Sequence, residues 1–324
     1  MNNYLLTICI PTYNRIHELK RQIKYLESEK VFDNTRIQVI VSDNCSPDKT
    51  YEYLGQLKET YQNIFVNENK KNIGLIGNLY QIQRFAEGEY IWFIGDDDEL
   101  APGLIRNVMY VLNNYKKLGH IFINYSTYRE KNVINDRCYH GEEGYFESGL
   151  EMFISIVNNS QSYGLQMFLT ANIYRRSRVK EMNIILEKAG ESQNLAIPLG
   201  YSLFCSNQSG YIIGKTSIKD EIGAISWKSK AVLVRCRDMI AISDIIALNM
   251  NIQPMIRKLL LQIYRRECPE YEYALRCKKF INDNYALKLY REFAPKQLII
   301  DFFRYPFILM KRISKRIINM NRRS

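Results

Sequence analysis

Short apolar runs alternate with stretches whose apolar residues recur every three to four positions through the first third of the chain. Residues 4–10 are almost wholly apolar and stop at Pro11-Thr12-Tyr13-Asn14-Arg15. A run apolar on both faces and closed by turn formers predicts a buried strand. Ile16, Leu19, Ile23 and Leu26 then recur at helical spacing, with Lys20, Arg21 and Lys24 between them. Residues 37–41 predict a second strand, closed by Ser42-Asp43-Asn44-Cys45-Ser46-Pro47-Asp48. Ser46 or Asp48 is placed to cap the helix that carries Tyr53, Leu54 and Leu57. Residues 64–66 predict a third strand, residues 77–87 a helix, and residues 90–94 a fourth strand. Strands alternating with helices predict an α/β fold, a mostly parallel sheet flanked by helices.

Beyond this the pattern thins. Residues 121–125, 168–176 and 211–215 predict further strands, and the polar segment 129–145 predicts a loop or small hairpin. From Ala231 onward helical spacing takes over. The expected division is a catalytic domain over residues 1–225 and a smaller helical C-terminal region over residues 226–324. That region ends in a basic segment, in which Phe302, Leu309, Ile313 and Ile317 would share one helical face and Arg304, Lys311, Lys315 and Arg322 the other.

The fourth strand ends in Gly95-Asp96-Asp97-Asp98-Glu99. Adjacent carboxylates repel unless a cation sits among them, and an all-oxygen donor set suits Mg²⁺ or Mn²⁺. In open α/β sheets ligands bind outside the carboxyl ends of the strands, where this cluster falls. Three other strand ends point polar residues to the same rim: Pro11 to Asn14, Ser42 to Asn44, and Asn69 to Gly74. None of these turns carries GxGxxG or GxxxxGK[ST], so phosphate would have to be neutralised by a metal on carboxylates rather than by backbone amides.

Charge and cysteine usage narrow the setting. The net charge is +11, and residues 295–324 hold eight Lys or Arg against Asp301 alone, so basicity belongs mostly to the tail. A basic amphipathic helix with aromatic residues reads as a membrane-surface element. Basic and aromatic residues do not interleave elsewhere, which argues against nucleic acid. Seven scattered cysteines without a CxxC fit reduced thiols rather than a disulfide framework or zinc site. Met1-Asn2-Asn3 leads into a strand without the basic start of a signal peptide, and no run of apolar residues is long enough to span a bilayer.

Ile10-Pro11-Thr12-Tyr13-Asn14-Arg15, Val41-Ser42-Asp43-Asn44-Cys45-Ser46, Asn72-Ile73-Gly74 and residues 88–98 together resemble, in order and spacing, the family 2 glycosyltransferases of GT-A fold. The resemblance covers roughly residues 5–113 and is nearest to bacterial enzymes of O-antigen, lipooligosaccharide and capsule synthesis. Members of the abequosyltransferase-like type similarly carry glycine where others have the first Asp of a DxD motif, as Gly95 does here. It implies inverting transfer from a nucleotide-sugar donor to a glycolipid or oligosaccharide acceptor, in the cytoplasm at the inner face of the cell membrane. Carried over, Pro11, Thr12, Tyr13, Asn14 and Asn72 would line the nucleotide and Asp43 would hydrogen-bond its base. Asp96 would lie near the ribose and diphosphate, and Asp97 would be the main metal ligand. Asp98 is a further ligand or a helix cap.

Such an enzyme needs a base for the acceptor hydroxyl. Relatives supply a Glu-Asp pair or single Asp before a helix; here Glu191, in a segment read as an exposed loop, is the nearest candidate, with Asp220 and Glu221 as second choices. Two rival readings are a nucleotidyltransferase and a nucleotide-sugar-binding protein of the same fold with weak or no catalysis. The first ordinarily has a glycine-rich basic loop after strand one, which is absent here; the missing Glu-Asp feeds the second.

Overall fold

The structure, a computed structural model, describes residues 4–160 and 166–221, and beyond them Val234, residues 238–252, Met255 and Leu259. The chain divides into two compact units, Met1–Ile225 and Ser226–Ser324. The first is built on one ten-stranded sheet. Its strands are β1 (Leu6–Thr12), β2 (Ile37–Asp43), β3 (Ile64–Glu68), β4 (Tyr90–Phe93), β5 (Glu99–Leu100), β6 (His120–Arg129), β7 (Asn132–Asn135), β8 (Gly144–Phe146), β9 (Asn172–Arg175) and β10 (Gly210–Glu221). Among the described residues seven helices flank it: α1 (Ile16–Ser28), α2 (Thr50–Thr60), α3 (Gly74–Gln83), α4 (Leu104–Asn114), α5 (Gly149–Asn158), α6 (Arg176–Lys188) and α7 (Ile197–Cys205). In the second unit, α8 (Met239–Met250) is the described helix. The basic segment of residues 295–324 lies outside the described residues.

The sheet runs β3-β2-β1-β4-β9-β6-β10-β5, with β7 on β6 and β8 on β10. β1 to β4 are parallel, β9 runs antiparallel between β4 and β6, and β10 is parallel to β6. All seven residues of β2 are buried, as a central parallel strand with helices on both faces requires. On α1 the apolar stripe read from the sequence, Leu19, Ile23 and Leu26, is buried. Each such side chain contributes about 1.5–3 kcal/mol. Trp92, Tyr90 and Phe93 bring the largest buried surfaces into the core along β4.

Two segments differ from expectation. Helix α3 starts at Gly74 rather than residue 77 and ends at Gln83. Gly74 adopts φ +74°, open to glycine, and Asn72 Oδ1 accepts its amide at 2.9 Å, which sets the entry. Residues 168–176 are not one strand. Leu169–Ala171 makes a 3-10 turn, β9 covers four residues, and α6 begins at Arg176. The turn forms because Thr170 turns both its carbonyl and its hydroxyl toward β4 and the loop after it, accepting from Trp92 Nε1 and from the Gly95 amide. Within 129–145 the chain forms the expected small hairpin, β7 on β6, and then adds β8 on the edge of β10.

Candidate active site

The parallel strands deliver the turns after β1, β2 and β4 to one rim, and side chains tie them together. Thr12 Oγ1 donates to Asp96 Oδ2 at 2.7 Å. Arg15 Nη1 lies 3.0 Å from Asp96 Oδ1 and 2.6 Å from Asp97 Oδ2, so one nitrogen bridges two neighbouring carboxylates. Arg21, on α1, donates to the main-chain oxygen of Asp97 at 2.9 Å, and Tyr25 to that of Ala101 at 2.9 Å. Helix α1 therefore holds the acidic loop along its length. Burial pushes Asp96 up to about 6, helped by Asp97 and opposed by Thr12 and Arg15.

Asp98 lies on the inner side of the same loop. It is buried and accepts the hydroxyl of Thr170, which in turn accepts the Gly95 amide at 2.9 Å. Burial pushes Asp98 up to about 8, with Asp97, Asp220 and Asp96 adding to the shift and Thr170 opposing it. The link to Asp220 follows from register. Antiparallel pairing of Leu100 with Ile218 and of Glu99 with Lys219 brings Asp98 opposite Asp220 one step further along. Asp220 is raised to about 6, by burial first and then by Asp97 and Glu221. Asp98 does not cap a helix, because the chain runs on into β5 and α4 starts at Leu104 behind Gly103. Gly95 is explained by the same packing. A Cβ there would sit 3.0 Å from Asp98 Cγ and closer still to its Oδ2.

The turn after β2 is a second knot. Ser46 donates its amide to both Asp43 oxygens at 3.2 Å and its hydroxyl to Oδ1, while the same hydroxyl accepts the Asn14 amide at 2.8 Å. Asp43 thus closes an Asx-type turn; burial raises its pKa and the Ser46 hydrogen bonds oppose the shift. Asn14 and Cys45 both take left-handed φ, 55° and 65°, where the two turns meet. Asn44 uses all four of its hydrogen-bonding positions. Its Oδ1 accepts from Asn69 and the Ile73 amide, and its Nδ2 donates to Asn72 and to the Gly74 carbonyl. Asn69 also reaches Asn78, which holds Ser42. Sequence reasoning placed Asn69 at the rim but missed Asn78 as its partner and Thr170 as the support of the acidic loop. The signal for Asn78 was the density of asparagines near the strand ends; for Thr170 there was none.

Of the residues expected at the nucleotide, Thr12, Asp43 and Asp96 are buried in these networks, while Tyr13, Asn14 and Asn72 are exposed at the rim and Pro11 is half-buried. Glu191 is buried, not on an exposed loop as expected, and its carboxylate accepts from Asn194 Nδ2 at 2.9 Å. Among the described residues no three His, Cys, Asp or Glu side chains converge as a metal cage. Asp97, half exposed, is the member of the aspartate run that faces solvent. A single hard oxygen donor of this kind fits a cation that takes its remaining oxygens from a bound phosphate and water.

Residues 7–167, which hold all of these turns, match the sequence profile "Glycosyl transferase family 2". This domain belongs to glycosyl transferase family 2. Over 98 residues, 30% of this chain, it is 35% identical to abequosyltransferase RfbV of Salmonella typhimurium and covers 29% of that protein. Over 204 residues, 57% of its length, the chain is 28% identical to the GalNAc(5)-diNAcBac-PP-undecaprenol beta-1,3-glucosyltransferase of Campylobacter jejuni and covers 62% of that enzyme. The chain therefore spans less than two thirds of either relative. The crystal structure of S. aureus TarS 1–349 in complex with UDP superposes with a TM-score of 0.63 at 16% identity, covering 95% of this chain and 87% of that one. At that identity the likeness shows the fold, a GT-A-type α/β architecture.

Proposed function

We propose that the protein transfers a sugar, with inversion, from a nucleotide-sugar donor to a glycan acceptor during bacterial surface polysaccharide synthesis. The observation that carries this is the convergence of the turns after β1, β2 and β4 on one rim within a family 2 domain. The activities named for the relatives support the class of chemistry, and the undecaprenol of the Campylobacter enzyme supports a lipid-linked acceptor. Such an acceptor would keep the protein at the cytoplasmic face of the membrane, with the basic tail as the contact. In this reading Tyr13 and Pro11 flank the base, Asn14 and Asn72 border the nucleotide, and Asp43 sets the base edge through the turn it closes. Asp96 fixes the turn after β1 against the acidic loop. A Mg²⁺ or Mn²⁺ ion resting on Asp97 would offset the negative charge of the departing diphosphate. Asp98, aimed at Thr170, braces Asp97 from behind. For the base that takes the acceptor proton, Asp220 is preferred over Glu191, since the sheet register sets it beside the aspartates.

The test is a thermal-shift screen of UDP, GDP, CDP, dTDP and ADP, with and without Mn²⁺, on wild type and Asp97→Ala. A ligand that binds only the native state raises the melting temperature by mass action. One diphosphate should stabilise the protein in a metal-dependent manner, and Asp97→Ala should lose the metal-dependent part. No shift from any of the five would overturn the donor-site reading.

A further inference from the structure

Arg15 stands where the donor-site reading puts a cation, and we propose that it is a displaceable counter-ion. It holds Asp97 while no divalent metal is bound and passes to the donor's diphosphate when metal arrives. The inference rests on the donor-site reading above.

The two halves of the Arg15 bridge are unequal. Asp96 has a side chain 6% exposed and is fixed from its other oxygen by Thr12, so the guanidinium contact there is shielded from water. Asp97 is 51% exposed, and Arg15 itself 36%, so that ion pair is screened and weak. Arg15 can therefore let go of Asp97 without leaving Asp96. A cation seated on Asp97 Oδ2 would compete for the very oxygen that Arg15 Nη1 holds at 2.6 Å. Both are positive, so in the absence of phosphate the metal must displace the guanidinium and leave it facing solvent.

A diphosphate changes that balance. Arg15 sits at the N-terminal flank of α1, on the turn after β1 that borders the site. The freed guanidinium then gains phosphate oxygens, which its planar fork suits. Metal and diphosphate should consequently bind with positive coupling, and the coupling should be reciprocal. Arg15 makes both of the ion pairs described for Asp96 and Asp97. The neighbouring Arg21 is spent on the main-chain oxygen of Asp97 and does not substitute for it.

The experiment is an electron-paramagnetic-resonance titration of Mn²⁺ alone, without nucleotide, on wild type, Arg15→Gln, Asp97→Asn and the double variant. Wild type should bind Mn²⁺ weakly, and Arg15→Gln about fivefold more tightly, the scale of a part-exposed ion pair. Asp97→Asn should abolish the gain in the double variant. If Arg15→Gln does not fold, Arg15→Lys, which keeps a charge for Asp96 but loses the planar fork, should bind at least about twofold more tightly. Mn²⁺ affinity in the folded variant equal to or below wild type overturns the inference, as does a gain that survives Asp97→Asn. The thermal-shift screen on wild type separates the two levels. A diphosphate response with no Arg15 effect sinks the counter-ion alone, whereas no response to any diphosphate sinks the donor site beneath it.

Discussion

Replacing Thr170 by valine removes one hydroxyl and almost nothing else, because the two side chains share shape and branching. That hydroxyl serves two groups at once, donating to the Asp98 carboxylate and accepting the Gly95 amide at 2.9 Å. The Thr170 carbonyl, which takes Trp92 Nε1 at 2.8 Å, is untouched. Valine therefore strands an acceptor and a donor inside the protein. Each buried group left without its partner costs about 1–3 kcal/mol, so Thr170→Val should destabilise the first unit by about 3 kcal/mol. For a unit of this size each kcal/mol is roughly 2–4 °C, which puts the fall in melting temperature at about 6–12 °C. Thr170→Ser restores the hydroxyl and gives up only a methyl, about 0.8 kcal/mol. Urea unfolding followed by circular dichroism on the three proteins gives the comparison. If valine stays within about 1 kcal/mol of wild type, or serine is no better than valine, the Thr170 bridge does not support the acidic loop.

Two further outcomes follow from burial and packing. His120 is buried, its Nε2 faces Asn172 Oδ1 at 2.8 Å and its Nδ1 has no partner, and burial pushes its pKa down to about 4 against the opposing Asn172 bond. An unfolded histidine titrates near 6.5, so between the two values the unfolded chain binds the extra proton and stability rises with pH. The His120 contribution is complete above about pH 6.5 and falls by roughly 3 kcal/mol as pH drops toward 4. His120→Gln should flatten that part of a urea-stability profile between pH 7.5 and 4.5, and an unchanged slope would count against it. Gly95→Ala should cost about 1–3 kcal/mol, because its Cβ meets the Asp98 carboxylate. In an Asp98→Ala background the same change should cost less than half as much by thermal melting; equal costs in both backgrounds would show that Asp98 is not what excludes the side chain.

The parts of the fold legible in the sequence were those whose signal is local. β1, β2 and β4 announce themselves as apolar runs, and the stripe of α1 is intact from Leu19 to Leu26. The segment 168–176 misled because its apolar content is that of a strand while its backbone obeys Thr170, whose partners Trp92 and Gly95 lie more than seventy residues away. Glu191 misled for the opposite reason. A glutamate among Gly, Ser, Gln and Asn looks solvated, yet Asn194 takes its carboxylate inside. Asp43 was expected at the nucleotide base, and the structure shows it closing a turn through the Ser46 hydrogen bonds.

Three consecutive aspartates illustrate why a motif alone cannot assign roles. Asp96 reaches back to Thr12 and Arg15, Asp97 faces solvent, and Asp98 turns in to Thr170 opposite Asp220. The division follows from what each neighbour in the sequence is pressed against: the turn after β1 on one side, β10 and the Thr170 turn on the other. Gly95 belongs to the same arrangement. With Asp98 occupying the space of a Cβ at position 95, an aspartate there has no room unless Asp98 withdraws. The glycine at 95 and the buried carboxylate of Asp98 are therefore a single feature of this loop. It leaves Asp97 as the carboxylate of the run that reaches solvent, where Arg15 pairs with it.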